Sequence, residues 1–552
     1  MSHDDSQDAS LHEPATSHAG NLLPSSLPWT VLEVQTILLA VITNACLLLY
    51  VWVEHSQRRS LMNRLPPGPT GLPFIGSLLE LRGNAIQRLR EIAIKYGPIF
   101  TIKLGMIRMF ILSEVDIIHE ALVINGAVFN DRPAFLGIMS GSGSKKGMVA
   151  LESGPFHRYQ RLFTREIMRA LGIGCVKGEK HFTKSLTELC QHLTESTGRP
   201  LDARTTLSSF VFYSFSVFFF GNASDNNQAL IKLRDSPTEL LHQNPAFILA
   251  SNILPKHFVE QLMPNKKKLT DSFLEIFQGR RQQQQLKDDT WSTDTSLDSF
   301  LDGILAIQKQ YMNKNNSSSS SVHDAGNQGD GNHSNVMDKA AAALAPDEHY
   351  MQMFFDFFTV GAETSLVELL WVLQMVMLYP EWQRRIQEEL DQVVGTEDAP
   401  SLLHKRRLHA TMATISEVYR FRPVAALGAP HRVTQDMFLR GYFIPEGSYI
   451  LTNIYAAHHD SKLWKEPDTF DPGRFLDAGG KFKIPNRMVT FSAGQRSCPG
   501  EMWTRSLIFL YITTILQKFT LRFPDNEDRP DVMGEPGINY SPCEFKICAV
   551  PR

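Results

Sequence analysis

Cys498, in the loop formed by residues 491–500, is the residue best suited to binding a metal. Gly494 allows a turn with positive φ, and Gly500 lets the backbone approach a flat ligand. The sequence from Pro499 onward predicts a helix, whose dipole and loop N–H groups would favour a thiolate. Taken alone, a cysteine of this kind is more often a buried, unreactive thiol. Its interpretation therefore depends on the residues around it.

An acid and a hydroxyl stand side by side in a long apolar helix predicted over residues 347–379 and ended by Pro380. Thr364 can bend this helix by bonding the carbonyl four residues back, and Gly361 leaves room for a flat ligand. Glu363, beside that hydroxyl, could relay protons to such a ligand.

Basic side chains recur in two further segments of the chain. His157 and Arg161 are spaced for one face of a helix, where Arg161 belongs to a basic stripe. A solvent-exposed face is the ordinary interpretation of such a stripe, and Arg132 alone is an ordinary surface arginine. The other members of the stripe are Arg158, Arg165 and Arg169.

Together these segments resemble the signatures of the cytochrome P450 family, and they occur in the family's order. Residues 491–500 match the pattern Phe-x-x-Gly-x-Arg-x-Cys-x-Gly, and residues 360–364 are similar to (Ala/Gly)-Gly-x-(Asp/Glu)-Thr. Residues 129–132 are similar to the family's Phe-x-x-Arg, and residues 430–434 to the Pro-His-x-x-Thr of its animal microsomal second clan. The resemblance extends over nearly all of residues 66–552.

The resemblance implies a role for each candidate residue. Cys498 would be the axial ligand of the iron of haem b (iron protoporphyrin IX), with Phe491 packed beside the sulfur. Glu363 and Thr364 would deliver the protons needed to cleave dioxygen. The residues implied to bond the haem propionates are Arg132, His157, Arg161, His431 and Arg496.

Two positions near the implied haem depart from the family pattern. His157 stands where the family has tryptophan; an imidazole can still donate a hydrogen bond, but it covers less of the haem edge. Val360 is bulkier than the usual residue and would change the volume of the pocket. Neither departure removes the implied ligand or the proton relay.

The resemblance implies a mainly α fold with a small β lobe (α+β) and a haem-thiolate monooxygenase. Such an enzyme would insert one atom of O2 into a lipophilic small molecule, such as a steroid, a fatty acid or a xenobiotic. Its electrons would come from NADPH through NADPH-cytochrome P450 reductase, with cytochrome b5 as a further donor. Two alternatives remain open: a haem-thiolate isomerase or dehydratase that needs no reductase, and a non-catalytic haem-binding sensor.

Exposed cations near the cysteine loop are suited to binding an acidic electron donor. Solubility is an equally good explanation for any one of these residues. They are Arg165, Arg169, Lys481, Lys483 and Arg487.

Composition adds few constraints beyond these motifs. The chain has 552 residues and a formal net charge of −3, which gives no nucleic-acid signal, so we expect no nucleic-acid partner. Its six cysteines show no C-x-x-C or zinc spacing and suit a reducing cytosol.

The elements that would position the site begin after an N-terminal anchor. Residues 1–28 predict a disordered tail, and residues 29–54 predict a transmembrane helix in contact with membrane lipid. Acidic residues precede that helix and arginines follow it, which predicts a single-pass protein with its catalytic domain in the cytosol. The resemblance to microsomal members of the family implies the endoplasmic reticulum membrane. Residues 55–73 predict a basic, proline-rich hinge.

The catalytic domain would occupy residues 74–552, with a disordered insert at about 313–336. Alternating apolar residues predict a hairpin over residues 99–112, after a helix over residues 86–96. The Gly- and Ser-rich residues 137–147 suggest a mobile cover.

Two further groups of residues are predicted to surround the haem. The resemblance implies a structural ion-pair cluster of Glu417, Arg420 and Arg474. An apolar substrate pocket is predicted from Phe354, Phe358, Val424, Ala425 and Leu427.

Overall fold

The computed structural model describes residues 38–46, 49, 61–105, 107–134, 136, 146–221, 266–285, 297–318, 339, 343–484 and 487–552. The chain divides into two units, Met1–Arg64 and Leu65–Arg552. In the first unit, residues 38–46 are helical and exposed. The predicted tail, most of the predicted anchor, residues 137–145 and residues 319–336 of the insert lie outside the described residues.

A long apolar helix runs through the centre of the second unit. It consists of Asp347–Asp356, a π-helical turn Phe357–Gly361, and Ala362–Leu378, after which Pro380 begins the next helix. Its apolar residues occur on every side, which is the pattern of a helix surrounded by protein. Within the described part of the chain, this is the one helix long and apolar enough to cross a membrane, but most of it is buried in the core. The prediction of a helix over residues 347–379 is confirmed.

We number the described α-helices in chain order, including the two α-helical parts of this central helix. They are α1 Ala85–Tyr96, α2 Val115–His119, α3 Gly126–Phe129, α4 Pro155–Ala170, α5 Lys180–Glu195, α6 Ala203–Phe220, α7 Lys266–Gln285, α8 Phe300–Ser318, α9 Asp347–Asp356, α10 Ala362–Leu378, α11 Pro380–Val393, α12 His409–Phe421, α13 Ile454–His458 and α14 Glu501–Lys518.

The strands form three small sheets beside the helices. They are β1 Ile99–Leu104, β2 Ile107–Leu112, β3 Leu201–Asp202, β4 His431–Arg432, β5 Met437–Leu439, β6 Tyr442–Ile444, β7 Tyr449–Thr452, β8 Phe519–Arg522 and β9 Lys546–Pro551. The sheet orders are β1-β2-β7-β4, β3-β9-β8 and β5-β6. The predicted hairpin is the antiparallel β1–β2 pair, in which Ile99 faces Leu112. A mainly α fold with a small β lobe is thus confirmed.

The main hydrophobic core lies where α10 packs against α6 and α14. Trp371 of α10 and Trp503 of α14 are almost fully buried in it, at 0% and 2% exposure. A second cluster lies beneath β2 and β7, around Phe110 and Ile450. The helical core therefore holds α10 and the start of α14 in fixed positions.

The predicted ion-pair cluster is present behind this core. Glu417 lies 2.7 Å from Arg420 and 3.0 Å from Arg474, measured between carboxylate oxygens and guanidinium nitrogens. Arg420 also donates to the carbonyls of His458 and Pro467, so that it joins α12 to the segment after α13. These contacts fix the region that precedes the cysteine loop.

Candidate functional site

The loop that carries Cys498 is held by its own backbone. The N–H of Cys498 donates to the carbonyl oxygen of Phe491 at 2.9 Å, which closes the loop. Gly494 has φ +69°, as predicted, and a Cβ there would overlap the carbonyl oxygen of Leu122. Only glycine fits this position, because both the φ angle and the space exclude a side chain. The loop consequently presents the sulfur in one orientation.

The thiol of Cys498 is accessible because it faces an internal cavity. Burial in that cavity raises the pKa of Cys498, while the N–H groups of Gly500 and Glu501 and the charge of Arg161 act in the opposite direction. The local N–H groups therefore favour the thiolate, as predicted, but they do not overcome burial. A metal cation at the sulfur would supply the missing charge.

The cavity has a volume of about 290 Å³ and lies between α10, α6, α4 and the cysteine loop. Thr364 and Cys498 both line it. Its walls are mostly apolar and aromatic, which suits a flat hydrophobic ligand. The residues of that wall include Phe215, Phe218, Phe219, Phe357, Val360 and Trp503.

Three arginines reach the cavity without a carboxylate partner among the described residues. Arg132 donates to the carbonyls of Ala429 and Pro430, and its Nε has no partner. Arg496 donates to the carbonyls of Asn130 and Leu151, and its Nη1 has no partner. The third arginine donates to a carbonyl of the cysteine loop. The site therefore has cations whose N–H groups are only partly satisfied.

Arg161 is the third arginine, and its Nη2 lies 2.8 Å from the carbonyl oxygen of Ser497. Burial and mutual repulsion lower the pKa values of these guanidinium groups, to about 9 for Arg132 and to about 10 for Arg496. All three nevertheless stay charged at neutral pH. An anionic ligand is the group that would relieve their repulsion.

His157 lies beside these arginines on α4. It is 4% exposed, and its Nε2 has no partner. Burial, assisted by Arg496, Arg161 and Arg132, lowers the pKa of His157 to about 2, so the ring is neutral at physiological pH. A neutral imidazole still carries one N–H. Its unpaired nitrogen is therefore a suitable donor to an anionic ligand.

These features fit a haem. The cysteine sulfur faces a mostly apolar cavity, and unpaired buried N–H groups of Arg132, His157 and Arg496 are available for two carboxylates. The donor set is that of a haem-thiolate site: one soft anionic ligand for iron, and cations for the propionates.

His431 is held differently from the other predicted propionate ligands. Its Nδ1 lies 2.8 Å from the carbonyl oxygen of Phe129 and must donate to it, so Nε2 of the neutral ring carries no proton. Burial and Arg132 lower the pKa of His431 well below its ordinary value. His431 is not among the residues that line the cavity. It could donate to a propionate only as an imidazolium.

Thr364 and Glu363 point in different directions. The hydroxyl of Thr364 donates to the carbonyl of Val360, four residues back, at 2.8 Å, as the sequence predicts. The carboxylate of Glu363 instead accepts from Arg204 of α6 at 2.7 Å, and it does not line the cavity. The structure therefore places the hydroxyl in the cavity and the adjacent acid in a buried ion pair.

Two further acids of the central helix were not selected from the sequence. Asp356 lines the cavity and accepts hydrogen bonds from the N–H groups of Met148 and Val149, at 2.9 and 3.1 Å. Glu368 also lines the cavity and is 4% exposed. Their signal in the sequence is an acid within an otherwise apolar helix, because such a residue must have a partner or stay protonated.

The predicted apolar wall is only partly correct. Val424 and Ala425 line the cavity, whereas Phe354 and Phe358 pack in the core at 0% and 1% exposure. Leu427 packs against other clusters. The π-helical turn Phe357–Gly361 adds a residue to its turn and so changes which side chains face the cavity.

Comparison with known proteins identifies relatives along almost the whole chain. A family model described as Cytochrome P450 matches residues 66–549. Mouse cytochrome P450 2D10 is 29% identical over 532 residues, covering 93% of this chain and 97% of that protein. Human cytochrome P450 2J2 is 30% identical over 537 residues, covering 95% and 97%.

A zebrafish cytochrome P450, in a structure with progesterone, has the same fold. It matches with a TM-score of 0.69 and 24% sequence identity, covering 85% of this chain and 100% of that chain.

Proposed function

Because this chain belongs to the cytochrome P450 family, it is a haem-thiolate monooxygenase, and we propose that its substrate is a lipophilic small molecule. The observation that carries the proposal is a cysteine thiol and a helix hydroxyl facing one largely aromatic cavity. Steroids, fatty acids and foreign lipophiles are the substrate classes that such walls accommodate.

The proposed role of the cysteine loop is to bind the haem iron. Cys498 would be the axial ligand, with Phe491 packed beside the sulfur. Phe491 lines the cavity, and the guanidinium carbon of Arg505 lies 4.8 Å from the centroid of the Phe491 ring. When bound, haem supplies the activation of dioxygen at its iron. The loop fixes the direction from which the sulfur reaches the metal.

The proposed role of the cationic residues is to bind the two propionates. Arg132, Arg161 and Arg496 would neutralise them, and His157 would donate one N–H. This proposal is supported by the unpaired nitrogens of Arg132, Arg496 and His157. His431 would contribute a further contact only if a propionate raised its pKa enough to protonate Nε2.

Thr364 is the residue proposed to hold a proton at the site of oxygen chemistry. Its hydroxyl lies in the cavity and donates to the carbonyl of Val360. Glu363 would supply protons to this hydroxyl only after its carboxylate leaves Arg204, because that ion pair directs it out of the cavity. Val360, which is 42% exposed, projects beside the hydroxyl and narrows the space available to a substrate.

The proposed electron donor is NADPH-cytochrome P450 reductase, with cytochrome b5 as a second donor. Exposed cations support an acidic partner, since Arg165 and Arg169 extend the basic stripe of α4 beyond Arg161. Lys481, Lys483 and Arg487, shortly before the cysteine loop, are also exposed. Association through such a surface would weaken as salt is raised.

We further propose a single-pass anchor at residues 29–54, after the tail of residues 1–28 and before the hinge of residues 55–73. The catalytic domain, residues 74–552 with the insert at about 313–336, would then lie on the cytosolic face of the endoplasmic reticulum. The apolar composition of the segment and the arginines that follow it support this arrangement.

Reconstitution tests the proposed function. The purified chain is combined with a reductase, NADPH and a panel of lipophiles that includes progesterone. We expect a reduced-CO difference band typical of a thiolate ligand, and a product one oxygen atom heavier whose formation requires both NADPH and reductase. Turnover without NADPH would instead establish an isomerase or dehydratase. Incorporation of 18O from labelled dioxygen separates insertion of oxygen from uncoupled reduction.

A further inference from the structure

Among the described residues Glu368 has no hydrogen-bond or ion-pair partner, unlike the other acids of the central helix. It lies four residues after Thr364, hence on the same helix face, and both line the cavity. Its Oε1 is buried without a hydrogen bond. By contrast, the carboxylate of Asp356 accepts two backbone N–H groups, and that of Glu363 is paired with Arg204.

The groups around Glu368 do not compensate a negative charge. From α12, the hydroxyl of Tyr419 is buried and also lacks a partner. Among the described residues, the cation whose charge acts on Glu368 is Arg505 of α14. Arg505 is itself paired with Glu501 at 2.8 Å. On the α6 side, Arg204 is occupied by Glu363.

The neighbouring hydroxyl groups are also occupied, because Ser365 of α10 and Thr504 of α14 bond to each other at 3.1 Å. Burial raises the pKa of Glu368 well above its ordinary value, and Arg505 opposes this only in part. The same burial, with the charge of Glu368, raises the pKa of Tyr419. Burial of this kind favours the neutral acid over the carboxylate.

We propose that Glu368 is a proton-binding site coupled to the oxidation state of the haem that shares its cavity. Reduction adds one electron, and hence one negative charge, to a space from which water is largely excluded. The carboxylate of Glu368 would then take up one proton from solvent. Charge and atoms balance, because oxidised haem, one electron, the Glu368 carboxylate and a proton give reduced haem and the neutral acid. The proposal requires bound haem, but neither a substrate nor a particular electron donor.

The coupling has a definite sign. A negative charge on the haem disfavours the carboxylate, so Glu368 binds its proton more tightly when the haem is reduced. By linkage, a bound proton makes reduction easier. Between the pKa values of Glu368 in the oxidised and reduced protein, the reduction constant falls tenfold per pH unit, which is about 59 mV for one electron. Outside that window this residue adds no pH dependence to the potential.

Spectroelectrochemical titration of the haem-loaded full chain tests the proposal. The midpoint potential is measured without substrate from about pH 5 to about pH 9, a range that includes documented pKa values of buried glutamates. We expect the midpoint potential of the unmodified protein to decrease as pH rises over part of this range. The midpoint potential of E368Q should not show this pH dependence. E348Q is the matched control, since Glu348 is an exposed carboxylate on α9. Equal slopes in the unmodified protein and E368Q, or no slope in the unmodified protein, would overturn the proposal.

An infrared measurement can refute the proposal with the unmodified protein alone. The reduced-minus-oxidised spectrum of the unmodified protein, taken within the pH window, should show a gain in the carbonyl band of a protonated carboxyl group. That band should shift in D2O and be absent from E368Q or, if this variant fails to bind haem, from E368M. Absence of the band in the unmodified protein would refute proton uptake by Glu368. Because a chemical reductant is used, this failure would leave the proposed substrate and donor unaffected.

Discussion

The loop that carries Cys498 and the helix that carries Thr364 face the same cavity, but they are held in different ways. The loop is closed by a backbone hydrogen bond and by a glycine that no other residue can replace. The helix places Glu363 against Arg204, and Asp356 against backbone N–H groups, which all come from distant segments of the chain. The difference teaches that the orientation of the cysteine depends mainly on the backbone of its own loop. The protonation of the acids on the helix depends instead on contacts with distant segments.

Replacement of the cysteine should have the largest effect and tests the loop directly. We expect C498S to lose the thiolate band of the reduced-CO spectrum and all oxygen-dependent product, because a serine hydroxyl is a poor ligand for haem iron. C175S is the control, since Cys175 is exposed and outside the cavity. An unchanged spectrum in C498S would remove the basis of the site.

Replacement of Arg204, the cation paired with Glu363, tests how much this tertiary contact contributes to stability. R204M leaves a buried carboxylate without its partner, so we expect the free energy of unfolding to fall by roughly 3 to 5 kcal/mol. R204M/E363Q should recover most of this loss. K462M breaks a pair whose lysine side chain is 75% exposed and should cost about 1 kcal/mol or less. Equal losses in R204M and K462M, measured by denaturant unfolding, would show that burial of the pair is unimportant.

Two constraints act on Gly494, its positive φ and the lack of space for a side chain, and two variants can separate their effects. G494A combines positive φ with overlap at the carbonyl of Leu122, so we expect a loss of roughly 2 to 4 kcal/mol. Gly480 also has positive φ, but a Cβ added there would have no atom within 4 Å, so G480A should cost only about 1 to 2 kcal/mol. Melting temperatures of the two variants compare them. Equal shifts would mean that the loop moves away from Leu122 at little cost.

The smallest expected effect is a change in the pH dependence of stability at the start of the central helix. Burial, assisted by Lys146, lowers the pKa of His349 to about 4. An unfolded histidine, with its ordinary pKa of about 6.5, binds a proton that the folded one rejects, so stability falls as pH falls through this window. H349Q should reduce the slope by up to about 1.4 kcal/mol per pH unit in urea unfolding. Parallel pH profiles would contradict this.

Much of the secondary structure and the cysteine loop could be predicted from the sequence, because both depend on neighbours in the chain. The helix Ala85–Tyr96, the β1–β2 hairpin and the bond from Thr364 to Val360 follow from spacing alone. The π-helical turn and the partner of Glu363 could not be predicted from spacing. Arg204 precedes Glu363 by 159 residues, and such a contact leaves no periodic trace.

The crowded guanidinium groups of Arg132, Arg161 and Arg496 have a consequence for the protein in the cell. Their repulsion opposes folding as long as no propionates lie between them, so the cofactor contributes to holding the chain together as well as to its chemistry. Newly made chains that lack porphyrin should consequently be shorter-lived than loaded ones. The abundance of this enzyme would then follow the rate of haem synthesis, even at constant messenger RNA.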